Sequence, residues 1–299
     1  MADKVIRASA YGGTVRAFAN DIKDTLGTAM GYHSLNPLAA VALGRALSAA
    51  SMMGEMAKSK EDTVTMVIKG KGPMGGIVAV CSKEGTLKGY VVNNDYSSYG
   101  NCIDAGVGGC IGSGYLNIIR DLGMKEPYTG TIPLQSGEIG DDLAYYFTYS
   151  EQIPSLVALG VKLNPDMTVK SAAGMIIQLM PGADKEVIPR IEARLRQGRS
   201  VSNMMEKEKT PLGVLEFMMP DGDVQITGDK PVSFKCDCSR IGMLRGIASL
   251  GRDELEKIIS EQDVVETTCH FCLVKYHFQS EEIKKLLEKQ GTGLSMNDE

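Results

Sequence analysis

The chain has 299 residues, which predicts about two domains and ample material for a core. Apolar residues make up 43% and charged residues 23%, ordinary globular usage that excludes disordered and collagen-like classes. The net charge of −5 supplies no global basic field for a phosphate backbone and speaks against a nucleic-acid binder.

The amino terminus, Met1 to Arg7, is charged and leads directly into strand-like sequence, with no apolar run of a signal peptide. Residues 4–10 and 14–18 around Tyr11-Gly12-Gly13 predict a β-hairpin, the glycines supplying the positive φ values of a tight turn. A helix is expected from Pro37 to Lys58, with Asn36 as its N-cap and Pro37 at its first position. Its weakly polar run, Asn36 to Gly54, is interrupted by Arg45 and rich in Ala and Ser, so it is expected to fall short of a membrane span and to form a core helix. A soluble, cytoplasmic protein without a membrane partner is therefore expected. In that reducing compartment the seven cysteines should be mostly thiols or metal ligands.

Thr63–Lys69, Gly76–Ser82 and Thr86–Val92 predict three antiparallel strands separated by Gly-rich or Lys-Glu-Gly turns. The glycine-dense stretch Asp104 to Gly114 lacks the spacing of a phosphate loop, since Ile111 stands where a third glycine is needed; a loop and edge strand leading into Tyr115–Arg120 is the plainer reading. Glu138 to Glu151 predicts an amphipathic helix whose Tyr145, Tyr146, Phe147 and Tyr149 serve the core. Leu156–Leu163 and Ala172–Met180 read as two further strands, the second closed by Pro181-Gly182. His33 is the only histidine of this region, and no nucleophile motif surrounds it.

After residue 182 the composition shifts. Ala183 to Glu208 is charged, with a narrow apolar stripe at helical spacing, and Leu212 to Met219 is a flexible apolar cluster. Such a face serves either interdomain packing, the weightier reading, or conditional binding, because methionine-rich surfaces re-pack around varied partners.

The last segment carries the chemistry. Cys236-Asp-Cys238 and Cys269-His-Phe-Cys272 are two short clips separated by 30 residues, giving four soft ligands for a tetrahedral zinc ion. The C-x-C spacing brings its sulfurs close enough for a strained local disulfide, so redox chemistry is suggested beside structure. Between the clips, Ser239–Leu250 and Asp253–Gln262 predict short helices; Lys275–Phe278 predicts a strand, and Ser280 is expected to cap a last helix through Gln290. A module of about sixty residues has a thin core and depends on its metal for order.

Two readings of Cys236, Cys238, Cys269 and Cys272 stand: zinc merely staples the module, or it holds four reactive thiolates that an oxidant converts to disulfides with loss of the metal. His270 and His277 are bystanders, because four cysteines already fill a tetrahedron. Cys81, Cys102 and Cys110 have no clip spacing and should pack as small apolar groups.

The Cys-Asp-Cys-Ser-Arg clip at 236–240, the stretch Thr268 to Phe278, and upstream Asp121–Gly130, Pro133–Gly140 and Tyr145–Gln152 together resemble the family of the thirty-three-kilodalton heat-shock chaperonin, a redox-regulated holdase. The resemblance covers essentially the whole chain. It implies an α+β protein: an N-terminal α/β domain with a largely antiparallel sheet for client binding and dimerisation (1–182), a helical linker (183–233) and a small zinc-binding redox switch (234–299). It further implies one zinc ion per reduced chain and a largely inactive reduced monomer. Peroxide with mild unfolding, or hypochlorous acid, would form Cys236–Cys238 and Cys269–Cys272 disulfides and release zinc. A homodimer would then hold unfolded or misfolded clients without ATP or enzymatic turnover, and pass them to an ATP-driven refolding chaperone. Clustering makes Met204, Met205, Phe217, Met218 and Met219 the candidate client-binding surface. Two other classes are carried: a zinc-ribbon nucleic-acid or protein-interaction module, and a thiol–disulfide oxidoreductase using Cys269 and Cys272.

Overall fold

The computed structural model describes residues 2–57, 62–82, 84–123, 126–198 and 200–291. Two units separate between Lys235 and Cys236.

In the first unit, β1 (Lys4–Ala10) and β2 (Val15–Asp21) form the expected hairpin, and Gly12 and Gly13 hold φ of 64° and 92° at its turn. Helices α1 (Lys23–His33) and α2 (Pro37–Met56) follow, then the meander β3 (Thr63–Gly70), β4 (Gly76–Ser82) and β5 (Thr86–Val91). A 3-10 segment, Tyr96–Ala105, leads into α3 (Gly106–Ile111), β6 (Gly114–Asp121), β7 (Tyr128–Pro133), α4 (Ile139–Tyr149), β8 (Ser155–Leu163) and β9 (Val169–Leu179). The unit closes with α5 (Val187–Gly198), α6 (Val201–Glu208), α7 (Pro211–Met218), β10 (Gln225–Pro231) and β11 (Ser233–Phe234).

These strands build two sheets, ordered β10-β1-β2-β9-β8 and β11-β5-β4-β3-β6-β7. All pairs are antiparallel except β11 with β5. The α+β class with antiparallel sheets is thus realised.

Helix α2 organises this unit, packing on β4 and β5 of one sheet and on β8 and β9 of the other. The Asn36 side chain accepts the Ala39 N–H at 2.9 Å, and Pro37 opens the first turn without wasting a donor. Its small residues permit the close approach: a Cβ at Gly44 would lie 2.6 Å from Val161, and one at Gly54 2.5 Å from Cys81 Sγ. Asn20 on β2 fixes the helix in register. Its amide donates to Ser48 O (2.8 Å) and Ser51 Oγ (2.5 Å), while its carbonyl accepts from Ser48 Oγ and Gly174 N, so a buried polar group is fully satisfied. By length and composition α2 is apolar enough to cross a membrane, contrary to the sequence expectation, yet its apolar window is 78% buried inside this fold. The expected end of this helix at Lys58 lies outside the described residues.

The first sheet is covered on both faces. Strand alternation sends Val5 and Ile176 toward α2, and Ile6 and Ile177 toward a second core closed by α5, α6 and α7. There Met204, Met205, Met218 and Met219 are buried, while Phe217 is partly buried with Lys207 and Arg194 lying 5.5 and 5.9 Å from its ring centre. The stretch Leu212–Met219, expected as a flexible cluster, is therefore the body of helix α7 with Met219 as its C-cap, and Thr210 caps its start by accepting from Gly213 N at 3.0 Å.

Other expectations need correction. Residues 104–114 hold a short helix, not an open loop, and the following β6 is interior, paired with both β3 and β7. Tyr146 and Phe147 are core residues, but Tyr149 is 67% exposed and stacks on the partly buried Tyr145 at 5.3 Å, on the outer side of the helix. Cys102 and Cys110 do not pack as separate small groups: they form a disulfide, because the 3-10 segment folds back onto α3 and brings their Cα atoms to 5.0 Å. Cys81 is buried in β4 as expected.

The second unit contains α8 (Arg240–Ala248), α9 (Arg252–Glu261), the hairpin β12 (Val264–Thr268) and β13 (Lys275–Gln279), and α10 (Ser280–Gly291). Among the described residues its buried apolar core is Ile247, Leu255, Phe278 and Ile283. Gly251 starts α9 instead of ending α8, and Ser280 is the first residue of α10, its hydroxyl donating to Gln262 O.

Candidate metal centre

The second clip lies at the tip of the β12–β13 hairpin. Cys269 N donates to Val274 O (2.9 Å) and Leu273 N donates to Cys269 O (2.8 Å), with Leu273 at φ 59°, so the chain curls around the position of the two sulfurs. Cys269 and Cys272 are buried. The first clip precedes α8, whose cap Ser239 accepts from Gly242 N at 3.1 Å, and Cys236 and Cys238 remain half-exposed.

All four Sγ atoms lie within 4.8 Å of one another. Two close contacts run between clips: Cys236 to Cys269 at 3.6 Å and Cys238 to Cys272 at 3.4 Å. A thiolate–metal bond of about 2.3 Å in a tetrahedron spaces neighbouring sulfurs about 3.8 Å apart. The donor set and its spacing thus fit a soft, four-coordinate ion. Neither His270 nor His277 belongs to the cluster; His277 Nε2 faces Glu266 at 3.8 Å.

The phenol of Tyr276 approaches Cys238 Sγ at 3.2 Å. Donation from this hydroxyl holds the Cys238 thiol below its ordinary value, and the shared proton pushes the phenol up to about 12. Burial pushes the Cys236 and Cys272 thiols the other way. Tyr276 was not legible as a site residue from spacing, although strand alternation already places it on the same face as the buried Phe278. Arg240, the last residue of the first clip's motif, donates to Glu282 at 2.8 and 2.9 Å and to His277 O at 3.2 Å, and covers the Phe278 ring at 4.5 Å. It ties the start of α8 to β13 and α10.

The sequence candidates therefore fall into two places. The four clip cysteines converge in the second unit, whereas Met204, Met205, Phe217, Met218 and Met219 gather in the second core of the first unit.

Residues 3–279 match the family model described as Hsp33 protein. A 33 kDa chaperonin of Acetivibrio thermocellus is 42% identical over 295 residues, covering 96% of this chain and 98% of its own. That of Caldanaerobacter subterraneus subsp. tengcongensis is 43% identical over 294 residues, covering 97% and 99%. The crystal structure of the 33 kDa chaperonin (heat shock protein 33 homolog) from Thermotoga maritima superposes with a TM-score of 0.83 at 32% identity, covering 98% of this chain and all of that one. With four thiols gathered as a possible metal centre and full-length similarity on sequence and fold, the chain belongs to the Hsp33 family of chaperones.

Proposed function

We propose that this chain is a redox-regulated, ATP-independent holdase of the cytoplasm, latent while Cys236, Cys238, Cys269 and Cys272 hold one zinc ion. The carrying observation is the contrast inside the second unit: four convergent thiols beside a buried core of four apolar side chains among the described residues. Bound zinc supplies cross-linking free energy of roughly 10–16 kcal/mol, more than so small a core provides.

An oxidant of the peroxide or hypochlorous-acid class takes electrons from the cysteines. Cys236 pairs with Cys238 and Cys269 with Cys272, each pair within one clip, and disulfide sulfurs no longer serve as thiolate ligands. The second unit then loses its tether and its order. Loss of order extends to the linker, 183–233, and lifts α5–α7 from the first sheet. This uncovers the methionine-rich stripe of Met204, Met205, Phe217, Met218 and Met219, which the buried apolar contacts of that layer support as the client surface. Unfolded clients bind there, the oxidised chain dimerises, and an ATP-driven system later refolds what is released. The protein acts by binding, without a catalysed reaction. The family match favours this over a zinc-ribbon nucleic-acid module.

The test follows zinc release with a colorimetric chelator during peroxide treatment at raised temperature, with light scattering of an aggregating client in the same sample. Suppression that appears only as zinc leaves, and reverses with reductant plus zinc, supports the switch. Equal suppression by the reduced, zinc-loaded chain overturns it.

A further inference from the structure

The first unit carries a pair of joined cysteines, far in sequence from the four-thiol cluster. Cys102 lies in the 3-10 segment Tyr96–Ala105 and Cys110 in α3, and their sulfurs form a disulfide. The two sulfurs differ in access. Cys110 is fully buried in the main core, whereas Cys102 is partly exposed between the exposed Asn101 and the partly buried Ile103. They also differ in anchorage. Cys110 O accepts from Met74 N at 3.0 Å and Ile111 O from Gly72 N at 2.8 Å, so α3 is fastened to the turn between β3 and β4. Residues 96–105 are largely exposed, with Tyr99 as their buried anchor, its hydroxyl donating to Asn93 O at 2.6 Å. One sulfur thus sits on a fixed, buried wall, and the other is presented to it on an exposed segment.

We propose that Cys102 and Cys110 form a second peroxide-responsive thiol–disulfide couple, whose oxidation staples the exposed 96–105 segment to the core of the first unit. The Cys102 thiolate attacks hydrogen peroxide: an S–O bond forms, the O–O bond breaks, the sulfur is oxidised by two electrons, and hydroxide leaves and is protonated to water. The Cys110 thiol then attacks the Cys102 sulfenic acid; the S–S bond forms, the S–O bond breaks, and hydroxide leaves with the thiol proton as a second water. Two thiols and one peroxide give one disulfide and two waters. The order follows access, since peroxide reaches Cys102 and not Cys110. The consequence is opposite to that proposed for the cluster: a cross-link is added to the first unit under the same oxidant that unfastens the second. This inference does not rest on the metal reading.

Tryptic mapping of the full-length, reduced and zinc-loaded chain tests it, because lysine and arginine positions separate the cysteines: Cys102 and Cys110 fall on peptide 89–120, Cys81 on 72–83, and the clips on 236–240 and 258–275. After peroxide, quenching and maleimide labelling in denaturant, peptide 89–120 is expected to lose both labels together with two hydrogens, and to regain both labels after dithiothreitol. In Cys110→Ser, Cys102 is expected to be captured as sulfenic acid by a 1,3-dione, while in Cys102→Ser Cys110 keeps its label. Thermolysin should cut within 96–105 more slowly in the oxidised wild-type chain than in the reduced one. Full labelling of peptide 89–120 under peroxide that has oxidised the clip peptides overturns the couple, as does loss of the Cys110 label in Cys102→Ser at the wild-type rate. Equal thermolysin cleavage in the two states overturns the staple. Failure of the clip peptides to oxidise counts only against the proposed switch.

Discussion

Phe278→Ala tests whether the second unit folds only with its metal. Phe278 is fully buried, shares its core with Ile247, Leu255 and Ile283, and lies under the Arg240 guanidinium at 4.5 Å. Truncating a buried phenylalanine costs about 3–5 kcal/mol. No cysteine is touched, so the metal–sulfur bonds themselves are unchanged. When the metal-free module is unfolded, every kilocalorie lost from its core is lost from apparent metal affinity, because binding and folding are one equilibrium. At about 1.4 kcal/mol per tenfold, affinity should drop by roughly two to three and a half powers of ten. The assay is competition against a chromogenic chelator under reducing conditions, with urea unfolding of the first unit as an internal control. An affinity within threefold of wild type would refute the reasoning, since the cluster would then be preformed without help from the module's core.

Tyr276→Phe removes the hydroxyl that donates to Cys238, and loss of such an outer partner should weaken metal binding roughly 10- to 100-fold; unchanged chelator competition would show the contact is idle. Serine replacements at Met204, Met205, Phe217, Met218 and Met219 together should remove aggregation suppression by the oxidised chain. Capture that is unchanged, or increased, in the light-scattering assay would shift the client surface to the uncovered sheet. Lys230 on β10 pairs with Glu55 of α2 at 2.6 Å, both side chains largely buried. Lys230→Ala should destabilise the first unit by about 3–5 kcal/mol by stranding the carboxylate, with Glu55→Gln/Lys230→Met recovering most of the loss. Urea midpoints of the three chains check this, and no recovery in the double variant would rule out the stranded charge as the cause.

Much of this architecture is legible in local signals. The Gly12-Gly13 turn, the Asn36-Pro37 helix start and the alternating strands 63–69 and 76–82 appear where sequence places them, since turn φ values, caps and period-2 patterning act over a few residues. Helix α1 and strands β7, β10 and β12 carry weaker patterns. The stretch 225–231 is largely exposed, and it is a strand because β1 offers a free edge 220 residues earlier in the chain. Tyr149 shows the same limit: its neighbours at 146 and 147 are core, but helical rotation turns it to solvent.

The candidate centre divides in the same way. The identity of its four donors is a property of the sequence, because C-x-C and C-x-x-C clips fix which sulfurs lie within reach of a common point. That the two clips meet, with close sulfur contacts between them, depends on the β12–β13 hairpin and α8 being packed together around Phe278. The phenol of Tyr276 on Cys238 is likewise set by that packing. The Cys102–Cys110 disulfide was beyond a reading by spacing, which treats cysteines eight residues apart as unrelated; the fold-back of residues 96–105 onto α3 makes them neighbours. Residue types and their short-range spacing were determined by the sequence alone, whereas burial, pairing across distant segments and thiol ionisation were decided by the tertiary structure, because each depends on what lies on the far side of a packed interface.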